Sequence, residues 1–228
     1  MPQFLIDHAK TGHPCTGALM QQFFIDDDGW CRAARPYASP YCDARPPGTD
    51  IDLLVIHNIS LPAGHFGGPH VADLFTGRLD YNADPTFAGL RDLEVSAHFF
   101  VRRDGGVIQF VSADERAWHA GQSCFEGRAA CNQFSIGIEM EGSDFVEFTP
   151  EQYSVLAALT LALQSRYPLA AVAGHEHVAP GRKTDPGPFF DWNQYKNTWV
   201  EQAAAEPMPV LTHRQLRFPP ALEKVNEK

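Results

Sequence analysis

The sequence predicts one mixed α/β domain, with a mixed central sheet of about five strands flanked by helices. Three observations predict it. Short runs of branched apolar residues, led by Ile51–His57, have the composition of strands buried on both faces. The turn signal Arg103-Asp104-Gly105-Gly106 separates two further strand-like runs. One long apolar segment opens with Thr149-Pro150-Glu151-Gln152, a helix-start signature.

Taken in order, residues 1 to about 48 carry no clear period. Gly12, Pro14, Gly17, the acidic run Asp26-Asp27-Asp28 and four prolines from Pro36 to Pro47 interrupt every pattern, so this stretch is expected to be a surface-hugging lead-in. The first strand, Ile51–His57, ends at His57-Asn58, where ligands commonly meet a sheet. Val95–Val101 and Val107–Val111 follow as hairpin partners. Phe134–Glu141 is another strand, and its period of two puts Ser135, Gly137, Glu139 and Glu141 on one face and Phe134, Ile136, Ile138 and Met140 on the other. The helix from Thr149 runs through Leu156, Leu159 and Leu163 to Tyr167-Pro168. A brief strand, Ala171–Gly174, then leads into His175, and a last helix begins after Asp191 with Trp192, Tyr195 and Trp199. Beyond Ala205 the chain turns Pro-rich and charged, the composition of a flexible tail.

With 228 residues, 44% hydrophobic and 20% charged, the composition is that of an ordinary globular protein. A formal net charge of -10 disfavours binding to nucleic acid or to an anionic membrane surface, since both need a surplus of Lys and Arg. No run approaches the roughly 20 apolar residues of a membrane span, and the first residues lack the basic and apolar regions of a signal peptide. Five cysteines without regular spacing, Cys15, Cys31, Cys42, Cys124 and Cys131, are expected to be free thiols in a reducing, cytoplasmic setting.

Three residues at or near apparent strand ends carry metal chemistry: His57, His175 and Asp185. Two imidazoles and one carboxylate leave a zinc ion net positive with an open position, which suits hydrolysis; a thiolate set would drain its Lewis acidity. The chain has ten histidines, so spacing alone leaves the ligand set open, and a strand-end histidine is more often structural. His177 is a rival ligand, because in an extended segment it shares a face with His175.

A run of motifs narrows this. His57-Asn58-Ile59-Ser60-Leu61-Pro62, Phe66-Gly67-Gly68-Pro69, Leu74-Phe75-Thr76-Gly77, Val95-Ser96-Ala97-His98 and Arg102-Arg103-Asp104-Gly105 are followed by Trp118-His119-Ala120-Gly121 and Cys131-Asn132. Next come Phe134-Ser135-Ile136-Gly137-Ile138-Glu139, Gly174-His175 and Arg182-Lys183-Thr184-Asp185-Pro186-Gly187-Pro188. In this order they resemble the bacterial cytosolic 1,6-anhydro-N-acetylmuramyl-L-alanine amidases, over about residues 29 to 200. The resemblance implies the N-acetylmuramoyl-L-alanine amidase, or peptidoglycan-recognition-like, fold over residues 29–203. Residues 1–28 are then an N-terminal extension and 204–228 a flexible tail. It implies a zinc ion on His57, His175 and Asp185, with Glu139 and Lys183 as catalytic groups. The implied reaction is hydrolysis of the bond between (1,6-anhydro)-N-acetylmuramic acid and L-alanine during peptidoglycan recycling. The implied partner is a small muropeptide substrate, with no obligate protein partner. In some bacteria such a role also bears on β-lactamase induction.

The chain departs from that pattern in places. Glu176-His177 follows Gly174-His175 where members carry Cys-Asp or Cys-Asn, and Glu94 and Ala130 stand where some carry arginine. Other arginines, Arg91, Arg116 or Arg128, would then grip the acidic substrate. Asn58, Arg128 and His119 are the candidate substrate contacts. His98 and His119 are also read as interior histidines able to orient metal ligands, and Glu141 as the structural alternative to Glu139. Other readings are a non-catalytic peptidoglycan-recognition module, an exported wall-degrading amidase of the same fold, and a closed structural metal site with His177 as its fourth ligand.

Overall fold

The computed structural model describes residues 23–205 and 215–219. Its centre is a six-stranded mixed sheet. Five of its strands are those expected: β3 (Leu53–Ile59), β4 (Phe99–Val101), β5 (Val107–Gln109), β9 (Ser135–Glu141) and β10 (Ala171–Gly174). The sixth, β1 (Arg35–Pro36), comes from the lead-in and pairs parallel with β5 at the sheet edge, where the proline's missing N–H leaves no ladder bond unmade. The spatial order is β1-β5-β4-β9-β3-β10, with β4, β9, β3 and β10 mutually parallel and β4–β5 the antiparallel hairpin. Short pairs β2 (Cys42–Asp43) with β6 (Arg116–Ala117), and β7 (Cys124–Phe125) with β8 (Arg128–Ala129), lie outside this sheet.

Leu53, Leu54, Val55 and Ile56 of β3 have no exposed surface, because both faces of the sheet are covered. One face holds the main core. There α2 (Pro150–Arg166) and α4 (Trp192–Ala204) pack Leu156, Leu159, Leu163 and Tyr195 against Leu54, Ile56, Ile136, Ile138 and Met140. Helix α2 starts where the capping box requires: Thr149 Oγ1 accepts from Gln152 N at 3.1 Å, and Gln152 Oε1 accepts from Thr149 N at 3.0 Å.

The opposite face is divided. At one end a short helix α1 (His70–Phe75) lays Leu74 and Phe75 against Phe100, Ile108 and Phe110. At the other, Leu53, Val55, Ala171 and Ala173 meet Ala120, Cys131 and Val178, the last from the short helix α3 (His175–Val178). Between these apolar clusters lie the polar side chains of His57, His98, His119, Ser135 and Glu139, all buried.

Two expectations are corrected. The described lead-in does more than cover the surface: Phe23, Ile25, Cys31 and Ala34 enter the main core, and Gln109 pins the segment by accepting from Cys31 N and donating to Gly29 O. Residues 215–219, expected to be flexible tail, instead lie along the free edge of β10: Val172 N donates to Arg217 O at 2.8 Å, Arg217 N donates to Ala170 O at 3.0 Å, and Leu216 is buried. An unpaired edge supplies the hydrogen bonds that composition alone does not show. The rest of the expected extension and tail, at 1–22, 206–214 and 220–228, lies outside the described residues, as do Cys15, His8, His13 and His213. The four described cysteines are free thiols. No helix among the described residues is long and apolar enough to cross a membrane.

Candidate active site

Parallel register assembles the site. His57 of β3 is paired with Glu139 of β9, and Gly174 of β10 with Ile56, so His175 follows level with His57. Neighbouring strands lie about 4.8 Å apart, so three strand ends set His175, His57 and Glu139 side by side. Asp185 arrives from the loop after α3, held where Glu176 N donates to Asp185 O at 2.9 Å. Gly174 makes room for that loop: a Cβ there would stand 2.7 Å from Pro186 Cδ and 2.9 Å from His177 Nδ1.

His57 Nδ1 lies 3.0 Å from His175 Nδ1 and 3.0 Å from Asp185 Oδ2, and His175 Nδ1 lies 3.1 Å from the same oxygen. A tetrahedral ion bonded at about 2.0–2.1 Å sets its donors about 3.3 Å apart, close to this triangle. Converging lone pairs at that spacing repel unless positive charge lies between them, and two nitrogens with one carboxylate oxygen suit a borderline cation. These three residues therefore form a group able to hold a metal ion. Burial pushes the His57 imidazole down to about 4, favouring the neutral form that ligates. Burial raises the Asp185 carboxyl, but its contacts with His175 and His57 outweigh this and hold it well below the usual carboxylate range.

His177 is not part of the group. The segment after Gly174 is helical rather than extended, so His175 and His177 do not share a face. His177 Nδ1 accepts from Gly174 N at 2.8 Å, and its ring meets Trp192 edge-on.

Glu139 is 8% exposed, and its Oε2 is buried without a hydrogen-bond partner among the described residues. Burial pushes its carboxyl well above the usual range and the Asp185 charge adds to this, while Lys183 opposes both. Glu141, one period along, is occupied: its Oε1 accepts from Gly67 N at 2.6 Å and its Oε2 from Arg103 N at 3.0 Å. A cleft of about 330 Å³ adjoins the site at Asp185 and is lined among others by Asn58, Ser60, Asp144, Phe145 and Lys183. Asn58 donates to Asp144 Oδ1 at 2.7 Å and to Pro186 O at 3.0 Å, joining two loops at the cleft floor.

Of the candidate substrate contacts, only Asn58 lines this cleft. His119 is buried, its Nδ1 3.0 Å from His57 Nε2. Arg128 pairs with Asp52, which precedes β3 at the end of the strand away from His57. Arg116 pairs with Asp43, and Arg91 donates to Asn82. The arginine on the cleft wall is Arg182, whose Nη2 donates to the carbonyls of Ala120 and Gln122 at 2.7 Å. Its place beside Lys183 in the sequence was the available signal. Phe145, 83% exposed on the rim, gave none, since a lone phenylalanine in a polar loop has no period to betray it.

Comparison with known proteins identifies the family. The profile of the N-acetylmuramoyl-L-alanine amidases matches residues 47–188, from just before β3 to just past Asp185. The chain is 55% identical over 172 residues to the 1,6-anhydro-N-acetylmuramyl-L-alanine amidase AmpD of Citrobacter freundii, covering 75% of this chain and 92% of the relative. It is 52% identical over 172 residues to the enzyme of the same name from Escherichia coli K12, covering 75% and 94%. A crystal structure of a selenomethionine derivative of AmpD superposes with a TM-score of 0.73 at 53% identity, covering 75% of this chain and 97% of that one. The chain belongs to the N-acetylmuramoyl-L-alanine amidase family.

Proposed function

We propose that this protein is a zinc enzyme that hydrolyses the amide bond between 1,6-anhydro-N-acetylmuramic acid and the L-alanine of the stem peptide, acting on soluble fragments in cytoplasmic peptidoglycan recycling. The observation that carries the reading is the register of β3, β9 and β10, which sets a three-donor group beside a buried carboxyl whose Oε2 has no hydrogen-bond partner among the described residues, with Asp185 of that group also lining a cleft. The names of the relatives support the anhydro-sugar substrate.

His57, His175 and Asp185 would hold the zinc ion, which when bound would supply Lewis acidity for the scissile carbonyl and lower the pKa of water towards neutrality. Glu139 takes the proton of the attacking water as its oxygen bonds to the carbonyl carbon, then delivers it to the alanine nitrogen as the C–N bond breaks. Its raised affinity for a proton suits both steps. Lys183, exposed on the cleft wall, places a cation where negative charge develops on the carbonyl oxygen. The burial of apolar side chains on both sides of the floor keeps the group dry enough for these charges to act strongly.

A closed structural site finds no fourth ligand in His177, which is engaged with the Gly174 backbone. To test the function, the protein is given a mixture of an anhydromuramyl-tripeptide and intact wall sacculi, and mass spectrometry follows free L-alanyl peptide. Release from the soluble fragment alone is expected. Release mainly from sacculi overturns the recycling role, and no release from either overturns the enzyme reading in favour of a recognition module.

A further inference from the structure

We propose that His119 is a positioning residue that fixes the tautomer of His57, as the middle member of a buried hydrogen-bond relay from Cys131 through Ser135 to His57. The proposal rests on the reading of His57, His175 and Asp185 as an ion site.

The relay is read from the end whose polarity is certain. A carbonyl only accepts, so the Ser135 hydroxyl donates its single proton to Cys131 O, at 2.6 Å. Towards His119 the same oxygen can then only accept, so His119 Nε2, 3.3 Å away, carries the proton of that bond. A neutral imidazole has one N–H, which leaves His119 Nδ1 bare and able to accept from His57 Nε2 at 3.0 Å. His57 therefore holds its proton on Nε2 and turns the Nδ1 lone pair towards His175 Nδ1 and Asp185 Oδ2. His175 reaches the same tautomer in one step, by donating from Nε2 to Ala120 O at 3.2 Å. The two ligand histidines thus present the same nitrogen to the site by different devices.

The surroundings hold the middle ring in place. The Asn132 side chain accepts from His119 N at 3.2 Å and from Ala120 N at 2.7 Å, fixing the backbone that carries it. Below the ring lies Gly137, where a Cβ would stand 2.6 Å from His119 Nδ1 and 2.7 Å from its Cδ2. His98 is near but outside the relay: its Nδ1 accepts from Gly137 N at 3.0 Å, and its Nε2 lies 3.0 Å from both Glu115 O and Arg45 Nη2.

The test uses zinc affinity, measured by competition with a chromophoric chelator, on wild type, His119→Leu, His119→Asn and Ser135→Ala. Leucine fills the space without an acceptor; asparagine puts Oδ1 where Nδ1 stood. The expected result is a zinc dissociation constant raised about 10–100-fold by His119→Leu and restored to within a few-fold of wild type by His119→Asn. Equal weakening by both, or by neither, overturns the proposal. Where His119→Leu fails to fold, Ser135→Ala decides: a weakened zinc affinity supports the relay and an unchanged one overturns it. A second measurement needs neither zinc nor turnover. Long-range proton–nitrogen spectra of the metal-free wild type at about pH 8, above the ordinary histidine range, are expected to show the His57 proton on Nε2. A neutral His57 with its proton on Nδ1 overturns the proposal. Wild type that binds no zinc overturns the ion site itself, while the nitrogen spectra still decide the relay.

Discussion

Replacing Gly137 with alanine drives a methyl group into the ring of His119. The added carbon would stand 2.6 Å from Nδ1 and 2.7 Å from Cδ2, with Cγ closer still, whereas carbon contacts are comfortable at about 3.5–4.0 Å. Neither side can retreat. Strand β9 is hydrogen-bonded on both edges, to β3 and β4, and His119 is buried between His57 and Ser135. Overpacking of this kind costs about 1–3 kcal/mol. Alanine in place of a mid-strand glycine regains about 0.5–1 kcal/mol, too little to offset the overlap. The net loss, about 1–3 less about 0.5–1 kcal/mol, reaches about 2.5 kcal/mol and lowers the melting temperature of a chain of this size by up to roughly 10 °C. The assay is thermal unfolding of the metal-free protein, so that any change in metal binding does not enter the comparison. Gly89→Ala is the control, since a Cβ there meets nothing within 4 Å and its melting temperature is expected to stay within about 1 °C of wild type. A Gly137→Ala protein that melts at or above the wild-type temperature would refute the argument that this glycine exists to seat the His119 ring.

Three further predictions follow from the same geometry. Glu139→Gln is expected to lower turnover about 10²–10⁴-fold and Lys183→Ala about 10²–10³-fold, each with zinc affinity kept within a few-fold; retention of wild-type turnover by either removes that residue from the mechanism. In metal-free protein, burial pushes His98 down to about 3, with the Arg45 charge acting in the same direction, and burial pushes His57 down to about 4. The unfolded imidazoles take up protons below about pH 6.5 while the folded ones stay neutral, so stability is full above that pH and is lost on acidification towards the folded values, at up to about 1.4 kcal/mol per pH unit for each histidine. Urea midpoints that stay flat between about pH 7 and pH 4 contradict this. Thr149→Ala removes one half of the α2 capping box and is expected to cost about 1 kcal/mol in urea unfolding, with turnover unchanged; an unchanged midpoint would show that the cap contributes nothing measurable.

Much of this structure is written locally. The branched runs of β3 and β9 and the capping box of α2 are signals that a few adjacent residues carry, and alternation along β9 separated the polar Glu139 face from the Ile136–Ile138–Met140 face. Other features depend on partners far along the chain. β1 is two residues long and exists because the β5 edge is free, and residues 215–219 likewise answer the free edge of β10. Helices α1 and α3, of six and four residues, are too short for an amphipathic period to identify. That blind spot made His177 a rival ligand: an extended reading of residues 175–177 aligns two rings that the helix turns about 200° apart. The chemistry of the site was legible as motif residues. What aligns His57, Glu139 and His175 is the parallel register of three strands, which no single segment encodes.

The central claim is metal-dependent cleavage at the His57–His175–Asp185 group. It is tested most directly by following release of L-alanyl peptide from an anhydromuramyl-tripeptide with the zinc-loaded protein, after chelation, and after zinc is restored. The predicted result is release that stops on chelation and returns with zinc, and that His175→Ala abolishes throughout. Release that continues at the same rate in the fully chelated protein, or that survives loss of His175, would contradict the account.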